Sequence, residues 1–181
     1  MTENNPHIDK PWPPVRLRSA VFIERDGKVL LLLDPIYRGG CWTLPGGGVE
    51  FNETYIQAAK REVFEETGLS VQINGLWRIR EIWEPETDYP DQNQVRKSLE
   101  LIFIGEFVDG DVNIFSNPSN KADGKRRVTD YYWFPLNSLD TTINNLPIYP
   151  AELFHLPRPL YIKGTAIDSV ILPPIDLRGD E

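Results

Sequence analysis

The sequence predicts an α/β domain in which strands dominate and one amphipathic helix packs on a sheet. Three observations carry that prediction. The stretches from Val15 to Arg25 and from Lys28 to Asp34 are rich in β-branched and aliphatic residues, and Asp26-Gly27 between them is a hairpin turn signal. Within the second stretch, Val29 to Leu33 is apolar without alternation, as expected of a strand covered on both faces. A helix opens at Thr54, where Thr54 and Gln57 have capping-box spacing, and Gly68 supplies its stop.

The remaining elements follow in chain order. Residues 1–14 are polar and then Pro-rich (Pro11, Trp12, Pro13, Pro14), a composition suited to an extended arm outside the core. After the hairpin, Pro45-Gly46-Gly47-Gly48 reads as a breaker. In the helix, Ile56, Ala59 and Val63 fall on one stripe and predict its core-facing side. Strand-like stretches follow at Ser70 to Trp83, Ser98 to Val108 and Thr129 to Phe134, with polar loops over 84–97 and 109–128. Beyond Pro135 prolines are frequent, and from about residue 141 the chain is expected to wrap the core irregularly, with short helical turns near 136–140 and 151–156. Residues 15–181 are read as one domain, in keeping with a chain of 181 residues.

Composition excludes several function classes. Nineteen basic residues against 27 acidic ones give a net charge of −8, which argues against binding nucleic acid by broad electrostatic attraction. Cys41 is the only cysteine, so no intrachain disulfide can form and the cytoplasm is the simplest compartment. No apolar run approaches the roughly 20 residues that span a bilayer, so no membrane association is expected. His7 and His155 have no partners at ligand or general-base spacing, which disfavours histidine-based chemistry.

The chemistry-bearing feature lies on the helix. Glu62, Glu65 and Glu66 fall within an arc of about 100°, in the last two turns, where the macrodipole disfavours negative charge. A solvated acidic face is the ordinary explanation for such a cluster. The Gly-rich turn a short distance upstream changes the balance, because glycines let backbone groups approach a metal or phosphate closely. A hard divalent cation, Mg²⁺ or Mn²⁺, would relieve the repulsion and prefers oxygen ligands.

Gly47, five residues, Glu53, seven residues, then Arg61-Glu62-Val63-Phe64-Glu65-Glu66-Thr67-Gly68-Leu69 resembles a complete Nudix box, G-x5-E-x7-R-E-U-x-E-E-x-G-U, where U is a bulky apolar residue. The resemblance extends from the strand near Val15 through Trp42-Thr43-Leu44-Pro45-Gly46-Gly47 to Asp130-Tyr131-Tyr132-Trp133-Phe134-Pro135-Leu136. It implies a Nudix α/β/α sandwich on a mixed β-sheet and hydrolysis of a diphosphate linkage in a nucleoside diphosphate joined to another group, such as ADP-ribose or a nucleotide sugar. It also implies that Glu62, Glu65 and Glu66 hold Mg²⁺ or Mn²⁺ with the Gly46 carbonyl, and that Arg61 and Glu53 form the ion pair that orients the loop against the helix. The general base is open among Glu62, Asp130 and Glu106. Family resemblance further admits a homodimer, with the N-terminal arm as the segment to cross to a neighbour.

Substrate features are read outside the box. Pro85 stands sixteen residues after Leu69, where many ADP-ribose pyrophosphatases carry proline, while the pattern of NADH-cleaving members is absent after the box. Arg78 and Arg80 alternate with Trp77 and Ile79 and are candidates to grip phosphates. Trp42, Trp77, Trp83 and Tyr89 are the aromatics expected to be accessible for stacking on a base. The loop 109–128, with Lys121, Lys125, Arg126 and Arg127, is the expected specificity segment. Two other readings stand beside this one: a house-cleaning nucleoside triphosphate pyrophosphohydrolase, and a non-hydrolytic Nudix-fold nucleotide sensor, which the complete box disfavours.

Overall fold

The turn at Asp26-Gly27 takes left-handed φ values at both positions (52° and 71°), the conformation that lets a two-residue loop follow the twist of the strands it joins. In the computed structural model, which describes residues 15–85, 95–114, 121–122, 125–126, 128–138, 140–150, 170–171 and 175–176, this turn joins β1 (Arg16–Arg25) to β2 (Lys28–Asp34). A 3-10 turn at Tyr37–Gly39 leads into β3 (Cys41–Thr43) and β4 (Gly46–Gly48), followed by α1 (Tyr55–Thr67). Two long strands come next, β5 (Ser70–Pro85) and β6 (Val95–Asp109). Then follow β7 (Lys121–Ala122), β8 (Lys125–Arg126), β9 (Asp130–Pro135), β10 (Thr142–Ile143), β11 (Leu146–Tyr149), β12 (Val170–Ile171) and β13 (Ile175–Asp176). The expected arm 1–14, the turns near 151–156 and Tyr89 lie outside the described residues.

The sheet is mixed. β1 runs parallel to β6 and antiparallel to β2 and β4, β5 and β6 form a long antiparallel pair, and β11 is parallel to β3. β1 and β2 pair only beside their turn, at Glu24↔Val29 and Arg25↔Lys28, and then diverge. From there β1 joins β4 and β6, while β2 joins β3 and β9. The divergence explains the unbroken apolar run. Val29 and Leu31 enter one core with Ala20, Phe22, Trp42, Trp77, Ile102 and Phe134. Leu30 and Leu32 enter the other with Val21, Ile23, Ala59, Val63 and Phe103. Alternate residues of a strand point to opposite faces, so a strand between two cores has no polar face. Each of these fully buried aliphatic side chains contributes about 1.5–3 kcal/mol.

α1 covers the second core, and its ends are those the sequence specifies. Thr54 Oγ1 accepts from the Gln57 amide at 3.2 Å and Gln57 Oε1 accepts from the Thr54 amide at 2.8 Å, a reciprocal capping box. Gly68, at φ 76°, closes the helix by donating to the Phe64 carbonyl at 2.8 Å. The expected inner stripe needs one correction: Ala59 and Val63 are buried, but Ile56 is 47% exposed. Tyr55 packs against this core in its place, four residues before Ala59, so the stripe is rotated by one position in the first turn.

Other differences arise from pairing across the sheet. The Gly-rich breaker is a strand, β4, because the bare backbone can lie flat against β1. The described stretch 140–150 is more regular than expected: β10 and β11 form a hairpin, and β11 extends the sheet beside β3. The 109–128 loop contains a small antiparallel pair, β7 with β8, and the long strands β5 and β6 shorten the 84–97 loop. Among the described residues α1 is the one α-helix, and no helix is long and apolar enough to cross a membrane.

Candidate active site

β4 is the foundation of the site. Gly46 faces Ala20 and Gly47 faces Ser19 across the antiparallel pair. A Cβ on Gly46 would collide with the Ser19 carbonyl oxygen and the Ala20 backbone, and one on Gly47 would collide with the Glu62 carboxylate. Close approach is thus required on one side by β1 and on the other by the helix. The inner face of α1 brings Glu62 and Glu66 to β4, each only 6% exposed, and Glu66 Oε2 accepts a hydrogen bond from the Gly46 amide at 2.8 Å. Ser19 Oγ donates to the Tyr55 carbonyl at 3.0 Å and ties the start of the helix to β1.

Arg61 joins loop and helix. Its Nε donates to Glu53 Oε2 at 3.0 Å, and its Nη2 donates to Glu53 Oε1 at 2.6 Å and to the Gly48 carbonyl at 2.9 Å. Nη1 reaches Glu62 Oε1 at 3.0 Å and Glu65 Oε2 at 3.1 Å. The hydrogen bond with Glu53 raises the Arg61 pKa further and, in the other direction, holds the Glu53 carboxyl below its usual range. One guanidinium therefore bridges three carboxylates, Glu53, Glu62 and Glu65, as its planar fork allows.

The donors suit a hard cation in kind: three carboxylates at helix positions i, i+3 and i+4, and a glycine strand whose lack of side chains leaves the Glu62 carboxylate against bare backbone. Among the described residues no three acidic, histidine or cysteine side chains already converge on one point. The reason is visible in the bonding, since Glu62 and Glu65 turn to Arg61 while Glu66 turns to the Gly46 amide.

Beside this cluster lies a row that sequence reasoning missed. Registers place Arg18 of β1 opposite Glu100 of β6, and Glu100 opposite Arg80 of β5. Arg80 donates from Nε to Glu100 Oε2 at 2.5 Å, and Arg18 donates from Nε to Oε1 at 3.4 Å. Burial opposes charge on all three groups, but their attraction prevails: Glu100 is held below the usual carboxylate range and both arginines above their usual value. The row borders a cavity of about 70 Å³ lined also by Arg16, Tyr37, Gly46, Glu66 and Tyr149. A signal existed in the sequence: a charge inside an otherwise apolar strand, as at Arg18 and Glu100, needs a buried partner. Which partner depends on the register.

The structure thus brings Gly46, Glu53, Arg61, Glu62, Glu65 and Glu66 together and sets Arg80 at the edge of the adjoining cavity. Other expected site residues are elsewhere. Trp42, 2% exposed, is a core side chain whose Nε1 donates to the Ile143 carbonyl at 3.1 Å, so it is not accessible for stacking, and Trp77 is likewise buried. Arg78 is 3% exposed and stacks over Trp77, 4.8 Å from the ring centroid, beside a bulge between Leu76 and Arg78. Burial alone lowers the Arg78 pKa. Asp130 is exposed, with its carboxylate on the Tyr131 amide, and Glu106 is exposed and accepts from Asn74 at 3.2 Å. Neither lines the cavity.

Comparison with known proteins bears on the family and the fold. The NUDIX domain family model matches residues 14–154. The chain is 29% identical over 140 residues to the NAD-capped RNA hydrolase NudC of Klebsiella pneumoniae, covering 77% of this chain and 44% of that protein. It is 33% identical over 93 residues to the ADP-ribose pyrophosphatase of Methanocaldococcus jannaschii, covering 50% of each. It therefore spans about half the length, or less, of these curated relatives. Among solved structures, the MutT protein of Methanosarcina mazei superposes with a TM-score of 0.59 at 23% identity over 81% of this chain and 94% of that one, a likeness of fold. A family match across most of the chain, with the box folded as a capped helix locked to a glycine strand, makes this chain a member of the Nudix hydrolase family.

Proposed function

We propose that this chain hydrolyses a diphosphate linkage in a nucleoside diphosphate joined to another group, an ADP-ribose-like or nucleotide-sugar-like substrate, using Mg²⁺ or Mn²⁺. The observation that carries the reading is the packing of Glu62 and Glu66 against the Gly46–Gly48 strand with Arg61 bridging to Glu65 and Glu53. Glu62, Glu65, Glu66 and the Gly46 carbonyl would hold the cation. When bound, it supplies charge neutralisation for the diphosphate and acidifies a bound water.

The chain's own residues have distinct tasks. Arg61 and Glu53 hold the glycine strand at a set distance from the helix, so the carboxylates and the loop keep one geometry. Glu62, buried beside Gly47 within the carboxylate cluster, is favoured as the group that takes the proton from water over Asp130 and Glu106, which are exposed. The family relatives named above support the substrate class: one is an NAD-capped RNA hydrolase and the other an ADP-ribose pyrophosphatase.

The test is hydrolysis of ADP-ribose, NADH, nucleotide sugars, dinucleoside polyphosphates and nucleoside triphosphates with Mg²⁺ or Mn²⁺. Nucleoside monophosphate plus a sugar phosphate is the expected product pair, and Glu66→Gln should lower the rate by roughly 100-fold or more. Release of pyrophosphate from triphosphates alone would replace this reading with the house-cleaning one. No turnover of any compound would favour a nucleotide-binding sensor.

A further inference from the structure

The cavity beside the carboxylates has a chemistry of its own. Two arginines share one buried carboxylate in the row Arg18–Glu100–Arg80, so the row carries one positive charge more than it neutralises. Arg80 is only 2% exposed and lines the cavity, and its Nη1 has no hydrogen-bond partner among the described residues. A buried cationic N–H without an acceptor is costly, and an oxyanion is the partner that satisfies both its charge and its hydrogen bond. Arg16 and Arg18 line the same cavity, as do Asp34 and Glu66, so the attraction for an anion rests on the unmet Nη1 of Arg80.

Size and position narrow the ligand. The cavity measures about 70 Å³, on a scale where one water needs about 10–15 Å³. That is room for a phosphate group. Gly46 and Glu66 belong to the lining, so the cavity opens directly onto the proposed metal site. Tyr149, which Arg80 overlies at 4.6 Å, and Tyr37, which meets Tyr149 edge-on at 5.7 Å, form its aromatic side and hold the guanidinium in place.

We infer that the cavity walled by Arg16, Arg18, Arg80, Tyr37 and Tyr149 is a phosphate subsite that receives a phosphate of the substrate other than the one attacked. Resting on the proposed hydrolase reading, this assigns to Arg80 and Arg18 the grip on the phosphate chain that fixes which phosphorus faces the carboxylates. Substrate choice then depends on the 3-10 turn carrying Tyr37 and on β11 carrying Tyr149.

The experiment is calorimetric titration of the full chain, metal-free in chelator, with inorganic phosphate. One phosphate per chain is expected. Arg80→Lys should weaken binding at least tenfold, because an ammonium lacks the planar fork that holds Glu100 from one edge and offers Nη1 to a phosphate from the other. Arg18→Lys serves as the second variant if Arg80→Lys does not fold. In steady-state hydrolysis the same variants should raise KM more than they lower kcat. Glu65→Gln, outside the cavity lining, should lose hydrolysis and keep phosphate binding, which separates failure of the hydrolase reading from failure of the subsite. Absence of phosphate binding by wild type, or equal binding by a folded Arg80→Lys or Arg18→Lys, overturns the inference.

Discussion

Arg61 grips Glu53, eight residues upstream, with two parallel hydrogen bonds, Nε to Oε2 at 3.0 Å and Nη2 to Oε1 at 2.6 Å. The same Nη2 also holds the Gly48 carbonyl at 2.9 Å. Lysine would keep the charge and lose the fork. Arg61→Lys is therefore expected to fold, with a melting temperature lowered by a few degrees, but to lose roughly 10- to 100-fold in hydrolysis as the glycine strand loosens from the helix. Equal activity in the variant would reduce the pair to an ordinary surface ion pair, worth about 0–1 kcal/mol.

The adjacent glycines should fail in different ways. A methyl on Gly46 meets the Ser19 carbonyl and Ala20 backbone, which cannot move without disturbing β1, whereas one on Gly47 meets the end of the Glu62 side chain. Gly46→Ala is expected to cost about 1–3 kcal/mol or more in urea unfolding. Gly47→Ala should cost less in stability and displace Glu62, so its loss appears in the hydrolysis rate.

Removing the helix cap separates folding from chemistry. Thr54→Ala deletes the acceptor for the Gln57 amide while leaving every site residue in place. The expected cost is about 1 kcal/mol, or about 2–4 °C in Tm for a domain of this size, with kcat/KM unchanged at 25 °C. A drop in kcat/KM at 25 °C with no change in Tm would contradict this.

The buried row predicts an acid dependence. Glu100 is held below the ordinary glutamate value of 4.5 once Arg80 and Arg18 overcome the opposing effect of burial. Between the folded and unfolded values the unfolded chain binds more protons, so stability rises with pH there. The contribution is whole above the unfolded value and drains as pH falls through the folded one. Glu100→Gln, which leaves two buried arginines without their carboxylate, should cost roughly 3–5 kcal/mol at pH 7. The gap to wild type in urea midpoint should narrow as pH falls below 4.5. A gap independent of pH would remove Glu100 from the acid response.

Sequence by itself determined the elements whose signals are local. The turn at Asp26-Gly27, the capping box of Thr54 and Gln57 and the stop at Gly68 each depend on residues within four positions of one another. The spacing of Glu62, Glu65 and Glu66 is likewise a property of one helix. Val29 to Leu33 announced a strand between two cores because an absence of polar residues needs no partner to be read. Tertiary structure alone decided the rest. Arg18, Arg80 and Glu100 become neighbours only when three strands from distant parts of the chain settle into register. Burial over Trp77 keeps Arg78 out of the cavity that Arg80 lines, and pairing with β1 made a strand of the glycine breaker. Cross-strand neighbours are chosen by long-range packing, and a one-residue change of register moves a side chain to the opposite face, so no local pattern specifies them.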